Sequence, residues 1–273
     1  MLKHFYEINS NENMMFDLHY ITNKNGKNDI QSITIPGMGH YPLNHEAERC
    51  ENYGNYCLKT FSIKINEMDI KEKSKNSFHF DKVKAYLSNG RVVTYPIGEI
   101  FIVKDSARFP IDFLASSSST DHMGEQLLKA KEPLSIQSFL FPFHHQLGDG
   151  LQLSIITDQG SLQAMYNEMS KGYSDDQKIS EWKQGKDHLV EKELFPLKLQ
   201  KDDLLNTSYQ FTFGNNQNGY HFYHFAINLK GKTKNGKEFN VPLVINYSPS
   251  FTYKEIEEIV KQRREVNDGA RAK

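Results

Sequence analysis

The sequence has only two cysteines, almost no net charge and no long hydrophobic run. Two cysteines cannot by themselves hold a disulfide-dependent scaffold of 273 residues together. Its 33 lysines and arginines are balanced by 34 aspartates and glutamates, so it lacks the positive surplus that is typical of general nucleic-acid binders. The longest apolar run, residues 139–143, is far shorter than the roughly 20 residues that cross a bilayer. We therefore expect no nucleic-acid partner and no membrane span.

The amino-terminal segment lacks the apolar core of a signal peptide. This predicts either a cytoplasmic protein or the mature form of an exported one. Cys50 and Cys57 are close enough in sequence for a local disulfide, which we expect if the chain is exported; two ordinary thiols in a loop are the alternative. Their spacing matches no common structural zinc motif, so we predict no metal site. No Gly-rich phosphate loop precedes a predicted helix, so we predict no cofactor.

Apolar and polar residues alternate more often than they follow helical spacing, which predicts a β-rich α+β fold of antiparallel, sandwich-like sheets. Asn-Gly occurs three times between such runs, and both residues tolerate the positive φ of a type I′ hairpin turn. The three predicted hairpins pair residues 18–22 with 30–35, 83–87 with 92–97, and 222–229 with 239–247.

A serine run from Ser116 to Ser119, followed by Thr120, is typical of a flexible connection. It divides the sequence into two β-rich halves, residues 1–115 and 121–273. Within the second half, Ser161 is the predicted cap of a first helix, in a helical insertion over residues 161–194 that also carries Ile179, Trp182 and Leu189. Thr252 and Glu255 have the spacing of a capping box, which predicts a carboxyl-terminal helix over residues 252–265.

One motif suggests chemistry. Residues 144–150 read His-His-Gln-Leu-Gly-Asp-Gly, which resembles the His-His-x-x-x-Asp-Gly motif of the chloramphenicol acetyltransferase and peptide-condensation superfamily. The resemblance implies that His145 is a general base and that Asp149 has a structural role. The alternative interpretation is a surface turn built on Gly148, Asp149 and Gly150. An acyltransferase needs His145 at the bottom of a tunnel, whereas a turn leaves it open to solvent.

Because the sequence shows no complete catalytic set, the leading hypothesis is a non-enzymatic interaction protein that contacts a protein partner through loops or an exposed sheet edge. The candidate contact regions are the aromatic loop over residues 37–56, with Tyr41, Tyr53 and Tyr56, and the connection over residues 116–121. The first alternative is an acyltransferase that uses His145. The second is a viral or secreted structural subunit, which would form a homo-oligomer.

Overall fold

The structure is a computed structural model that describes residues 1–10, 14–26, 29–43, 49–65, 77–104, 109–119, 122–170, 188–214 and 216–271. The described residues are rich in strands, several antiparallel sheets are present, and helices are few, so the predicted β-rich α+β fold is confirmed. No described helix has the length and apolarity needed to cross a membrane.

The first strands in chain order are β1 (His4–Asn9), β2 (Met15–Asn23), β3 (Ile30–Thr34), β4 (His40–Pro42), β5 (Arg49–Tyr53), β6 (Tyr56–Lys64), β7 (Ser77–Leu87) and β8 (Val92–Val103). They are followed by β9 (Ile111–Ser118), β10 (Met123–Ala130), β11 (Leu134–Leu140), β12 (Leu151–Ile156), β13 (His188–Leu189), β14 (Leu197–Leu199), β15 (Leu204–Phe211), β16 (Phe222–Thr233) and β17 (Glu238–Tyr247). The α-helices are α1 (His144–Leu147), α2 (Gln159–Ser170) and α3 (Tyr253–Arg271).

The chain forms two compact units that interleave along the sequence. Unit 1 contains Met1–Ser106, Tyr220–His224 and Ser248–Lys273, and unit 2 contains Ala107–Gly219 and Phe225–Tyr247. This division differs from the two consecutive halves expected from the serine run, because unit 1 also contains two segments from the second half of the sequence, Tyr220–His224 and Ser248–Lys273.

Unit 1 is built around β1, which pairs in parallel with β8 on one side and with the first three residues of β16 on the other. From β8 the order continues antiparallel through β7, β3 and β4, and a separate antiparallel sheet has the order β2, β6, β5. Alternate residues of these strands form one apolar core, and Ile256 and Ile259 of α3 pack into it.

The capping box of α3 is confirmed. The Glu255 carboxylate accepts a hydrogen bond from the backbone N–H of Thr252 at 2.7 Å, and the Thr252 hydroxyl accepts one from the N–H of Glu255 at 3.3 Å. The helix continues to Arg271, beyond the predicted end at residue 265.

Unit 2 is a sandwich with helix α2 on its outside. A five-stranded antiparallel sheet has the order β13, β12, β15, β10, β9, and a second sheet joins β14, β11, β16 and β17. The two sheets face each other, since side chains of both line a cavity of about 10 Å³. On the opposite face of the five-stranded sheet, Leu162 and Met165 of α2 pack against the apolar residues Leu127, Ile156 and Leu204.

Two of the three predicted hairpins are confirmed. Strands β7 and β8 pair across Gly90, and β16 pairs with β17 across Gly236, with both glycines at positive φ. The hairpin predicted around Asn25 and Gly26 is wrong, because β2 pairs with β6 and β3 pairs with β7. Strands β2 and β6 both have nine residues and pair over their full length, whereas the five residues of β3 would leave much of β2 unpaired.

Two local predictions need correction. Ser116, Ser117 and Ser118 lie in strand β9 rather than in a loop, because pairing with β10, which satisfies the backbone groups of Ser117, outweighs the turn preference of serine. The cap of α2 is Asp158, whose carboxylate accepts the N–H of Ser161 at 3.0 Å. Of the rest of the predicted insertion, Ile179 and Trp182 lie outside the described residues, and Leu189 lies in β13 rather than in a helix.

Candidate functional site

His145 and Asp149 lie on an exposed turn. The four-residue helix α1 is anchored by the buried side chains of Phe143 and Leu147, and both His145 and Asp149 are exposed. The ring of His144 lies 4.2 Å from that of Phe141. An acyltransferase base has to lie in a tunnel that excludes water, so this position gives the acyltransferase interpretation no support.

The three predicted binding tyrosines pack inward. Tyr41, Tyr53 and Tyr56 are half-buried against the core of unit 1. Tyr53 and Tyr56 oppose each other where β5 and β6 meet, and Tyr41 opposes Ile33 in another sheet. Burial, followed by the nearby Glu51 carboxylate, raises the pKa of the Tyr53 hydroxyl. These contacts indicate a structural role for the tyrosines. Much of the segment over residues 37–56, which was expected to be a loop, is strand.

Cys50 and Cys57 form a disulfide that links the adjacent strands β5 and β6, with 5.6 Å between their Cα atoms. Of the two alternatives, this is the local disulfide. Cys57 is almost fully buried, whereas Cys50 is exposed, so the bridge joins a surface position to the core of unit 1.

We expect the loss of this bridge to lower the free energy of unfolding by about 2 kcal/mol, because it closes a short loop in the unfolded chain. The measurement is urea unfolding of the wild type, the reduced wild type and the double variant Cys50→Ala, Cys57→Ala. The reduced protein keeps both sulfur atoms and separates the loss of the cross-link from the loss of packing at Cys57. Equal midpoints for oxidised and reduced protein would contradict the prediction.

The most distinctive surface of unit 2 is the outer edge of its five-stranded sheet. Among the described residues, β9 pairs only with β10, so it is the terminal strand. The N–H of Ser119 donates to the carbonyl of Met123 at 2.9 Å. Backbone groups that face the neighbouring strand alternate along an antiparallel strand with groups that face away. The N–H and C=O groups of Ser117 therefore also face β10, whereas those of Ser116 and Ser118 point away from it.

This edge carries little of the protection that edge strands usually have. Terminal strands commonly carry Lys, Pro or inward-pointing charges that prevent pairing with another chain. Residues 113–119 contain neither lysine nor proline. The charge before them, Asp112, forms an ion pair with Lys131 at 2.8 Å, and a bulge interrupts the ladder between Leu127 and Leu128. Beyond the bulge, the edge consists of the exposed, uncharged residues Ser116 to Ser119.

A groove with a volume of about 540 Å³ begins at this edge and crosses the face of the sheet. The strand register places its side chains in two rows that run from β9 across the neighbouring strands. The first row is Ser117, Glu125, Ser208, Ser154 and Leu189; the second is Ser119, Met123, Gln210 and Gln152. The next row on the same face includes Ala115, Leu127 and Ile156, and it is the row that α2 covers.

Hydrogen bonds fix the polar residues of the first row. The Ser154 and Ser208 hydroxyl oxygens lie 2.7 Å apart. One Glu125 carboxylate oxygen accepts from the Asn206 amide at 3.2 Å, and the other accepts from the Ser117 hydroxyl at 3.4 Å. Glu125 therefore extends toward β9, where the sheet ends.

Sequence reasoning missed a histidine cluster in unit 1. His4 is fully buried, and its Nε2 atom accepts the backbone N–H of His19 at 2.9 Å. The ring of His19 stacks on Phe222 with 3.7 Å between centroids. Burial lowers the pKa of His19 and of His221 to about 4, and that of His4 well below its usual value. The three histidines are therefore uncharged at neutral pH; His4 is fully buried, and His19 and His221 are partly buried. Nothing in the local sequence indicates these lowered pKa values.

Among the residues that the structure describes, no three His, Cys, Asp or Glu side chains converge as a metal site requires. Comparison with protein-family models and with curated protein sequences gives no match to the chain. The functional interpretation therefore depends on the surface of unit 2 itself.

Proposed function

We propose that the protein is a non-enzymatic interaction protein and that strand β9 takes up an extended segment of a partner protein as an additional strand. The observation that carries this proposal is the outward direction of the Ser116 and Ser118 backbone groups on a terminal strand without lysine or proline. Such an edge offers main-chain hydrogen bonds to any segment that lies beside it in extended form.

A protein segment fits this edge better than a nucleic acid does. The chain has a net charge of −1, and the polar groups along the edge are backbone amides, carbonyls and serine hydroxyls. These groups match the backbone of an extended peptide, whereas a phosphate backbone requires neutralising cations. Main-chain pairing supplies affinity, and the adjoining groove supplies positions where the partner's side chains are selected.

The test uses peptides selected from a displayed library of random dodecapeptides. Binding of the selected peptides to purified protein is measured by fluorescence polarisation. We expect Ser118→Pro to weaken binding about tenfold or more, because proline removes an outward N–H and obstructs the incoming strand. The N–H of Ser118 does not face β10, so the β9–β10 ladder keeps its hydrogen bonds.

Ser118→Ala is the matched control, since it removes the hydroxyl and keeps the backbone N–H. We expect its affinity to remain close to that of the wild type. Equal binding by Ser118→Pro and Ser118→Ala would contradict the proposal, and so would a library that yields no binding peptide. A dimer that forms with increasing concentration and is lost in Ser118→Pro would show that a second copy of the chain occupies the edge instead.

A further inference from the structure

We infer that the segment taken up by β9 carries a lysine or arginine opposite Ser117, where Glu125 binds it. This inference rests on the proposed function, since it concerns the partner of the same edge. That partner is an extended peptide with a basic side chain on the face that continues the groove.

The strand register determines where that side chain lies. Directly opposed residues of neighbouring strands project to the same face of a sheet. A residue placed opposite Ser117 therefore extends the row that contains Ser117 and Glu125. It is two strand spacings from Glu125, or about 10 Å, and a long basic side chain spans this distance across the small Ser117 side chain.

The Glu125 carboxylate is already oriented for this contact. Asn206, which is 2 % exposed, holds one carboxylate oxygen through its amide. The other oxygen is on the side of Ser117, whose hydroxyl is 3.4 Å away, a long hydrogen bond that a cationic donor replaces with a stronger one. These two hydrogen bonds direct the Glu125 carboxylate toward β9, the side from which the partner's cation arrives.

The negative charge of the groove also favours a partner with a basic side chain. Of the described residues that line the groove, Glu125 is the only acidic or basic one. A carboxylate in a partly desolvated groove favours a cationic side chain and disfavours an acidic one. The groove therefore discriminates among extended peptides that the backbone edge alone would accept equally.

The next groove-facing position of the partner is expected to be apolar. The residue opposite Ser119 extends the second row, where Met123 follows and is 40 % exposed. Facing positions on a strand are two residues apart. The partner segment therefore has a basic and an apolar residue separated by one residue, in an order set by whether it pairs parallel or antiparallel.

The experiment selects random dodecapeptides separately on the wild type and on Glu125→Gln. We expect peptides from the wild type to be enriched in lysine or arginine two positions from an apolar residue, and this enrichment to be lost on Glu125→Gln. A fluorescent basic peptide should bind Glu125→Gln about tenfold more weakly. Its affinity for the wild type should fall as salt is raised, and that dependence should be smaller for the variant.

Glu238→Gln is the matched control, because it removes the same charge from unit 2 at an exposed ion pair with Lys232 in the other sheet. It should bind the basic peptide as the wild type does. Peptides that bind in a Ser118-dependent manner without basic enrichment, or with equal affinity for Glu125→Gln, would overturn the inference and leave the proposed function standing. A wild-type selection that yields no binding peptide would overturn both.

Discussion

Replacing Gly98 by alanine is expected to lower the free energy of unfolding of unit 1 by about 4 kcal/mol or more, through backbone overlap and strain. Gly98 has φ +97°, which alanine adopts only with strain. A Cβ atom there would overlap the carbonyl oxygen of His4 and lie 2.7 Å from its nitrogen. His4 cannot move away easily, because β1 is paired on both sides.

Hydrogen exchange read by mass spectrometry is the appropriate measurement, since it reports the stability of each unit separately. Amides of β1 and β8 should lose protection in Gly98→Ala, and those of β10 and β15 should lose less. Gly90→Ala is the control: Gly90 also has positive φ, but nothing lies within 4 Å of its added Cβ. It should cost only about 1 kcal/mol of backbone strain. Similar effects of the two substitutions would show that the contact with His4 does not matter.

Acidification from pH 8 to pH 5 is expected to destabilise unit 1 by several kcal/mol. The pKa values of His19 and His221 are lowered to about 4 by burial, whereas an unfolded histidine titrates near pH 6.5. Between these values the unfolded state binds more protons, so the stability that these two histidines contribute is fully present above pH 6.5 and is lost as the pH falls toward 4. Each histidine contributes up to about 2 kcal/mol of this loss at pH 5.

The charged groups around these histidines act in different directions. Lys3 and Arg263 lower the pKa of His221 further, after burial, whereas Asp17 opposes the effect of burial at His19. His4 adds to the loss, because its Nε2 atom accepts a backbone hydrogen bond that protonation would break.

Urea unfolding at several pH values tests this expectation. The variant His221→Gln should show a shallower dependence of stability on pH between 5 and 6.5 than the wild type. His145→Gln is the control, since this exposed histidine on α1 lies outside the cluster and should leave the dependence unchanged. A wild-type stability that does not fall between pH 8 and pH 5 would contradict the expectation.

Local chemistry made several elements of this fold predictable. The Asn-Gly turns of β7–β8 and β16–β17 and the capping box of α3 involve residues close in sequence. The turn at Gly26 misled because partner choice for β2 depends on β6, more than 30 residues away, and on matching strand length. The serine run misled in a similar way, since its strand conformation comes from pairing with β10.

The candidate site was only partly accessible to sequence reasoning. The region over residues 116–121 was predicted as a contact region, and the structure places Ser116 to Ser118 on the terminal strand of a sheet. The groove beside it could not be predicted, because its first row brings Ser117, Glu125 and Ser208 together from distant parts of the sequence. Alternation within one strand shows which residues share a face, but not which residues oppose them.

The interleaving of the two units has a consequence for biosynthesis. Every segment of unit 2 has been synthesised once residue 247 is added, whereas unit 1 still lacks Ser248–Lys273 at that point. The apolar surface that later receives Ile256 and Ile259 stays uncovered until α3 leaves the ribosome. The core of unit 1 therefore cannot be completed until after every segment of unit 2 has been synthesised.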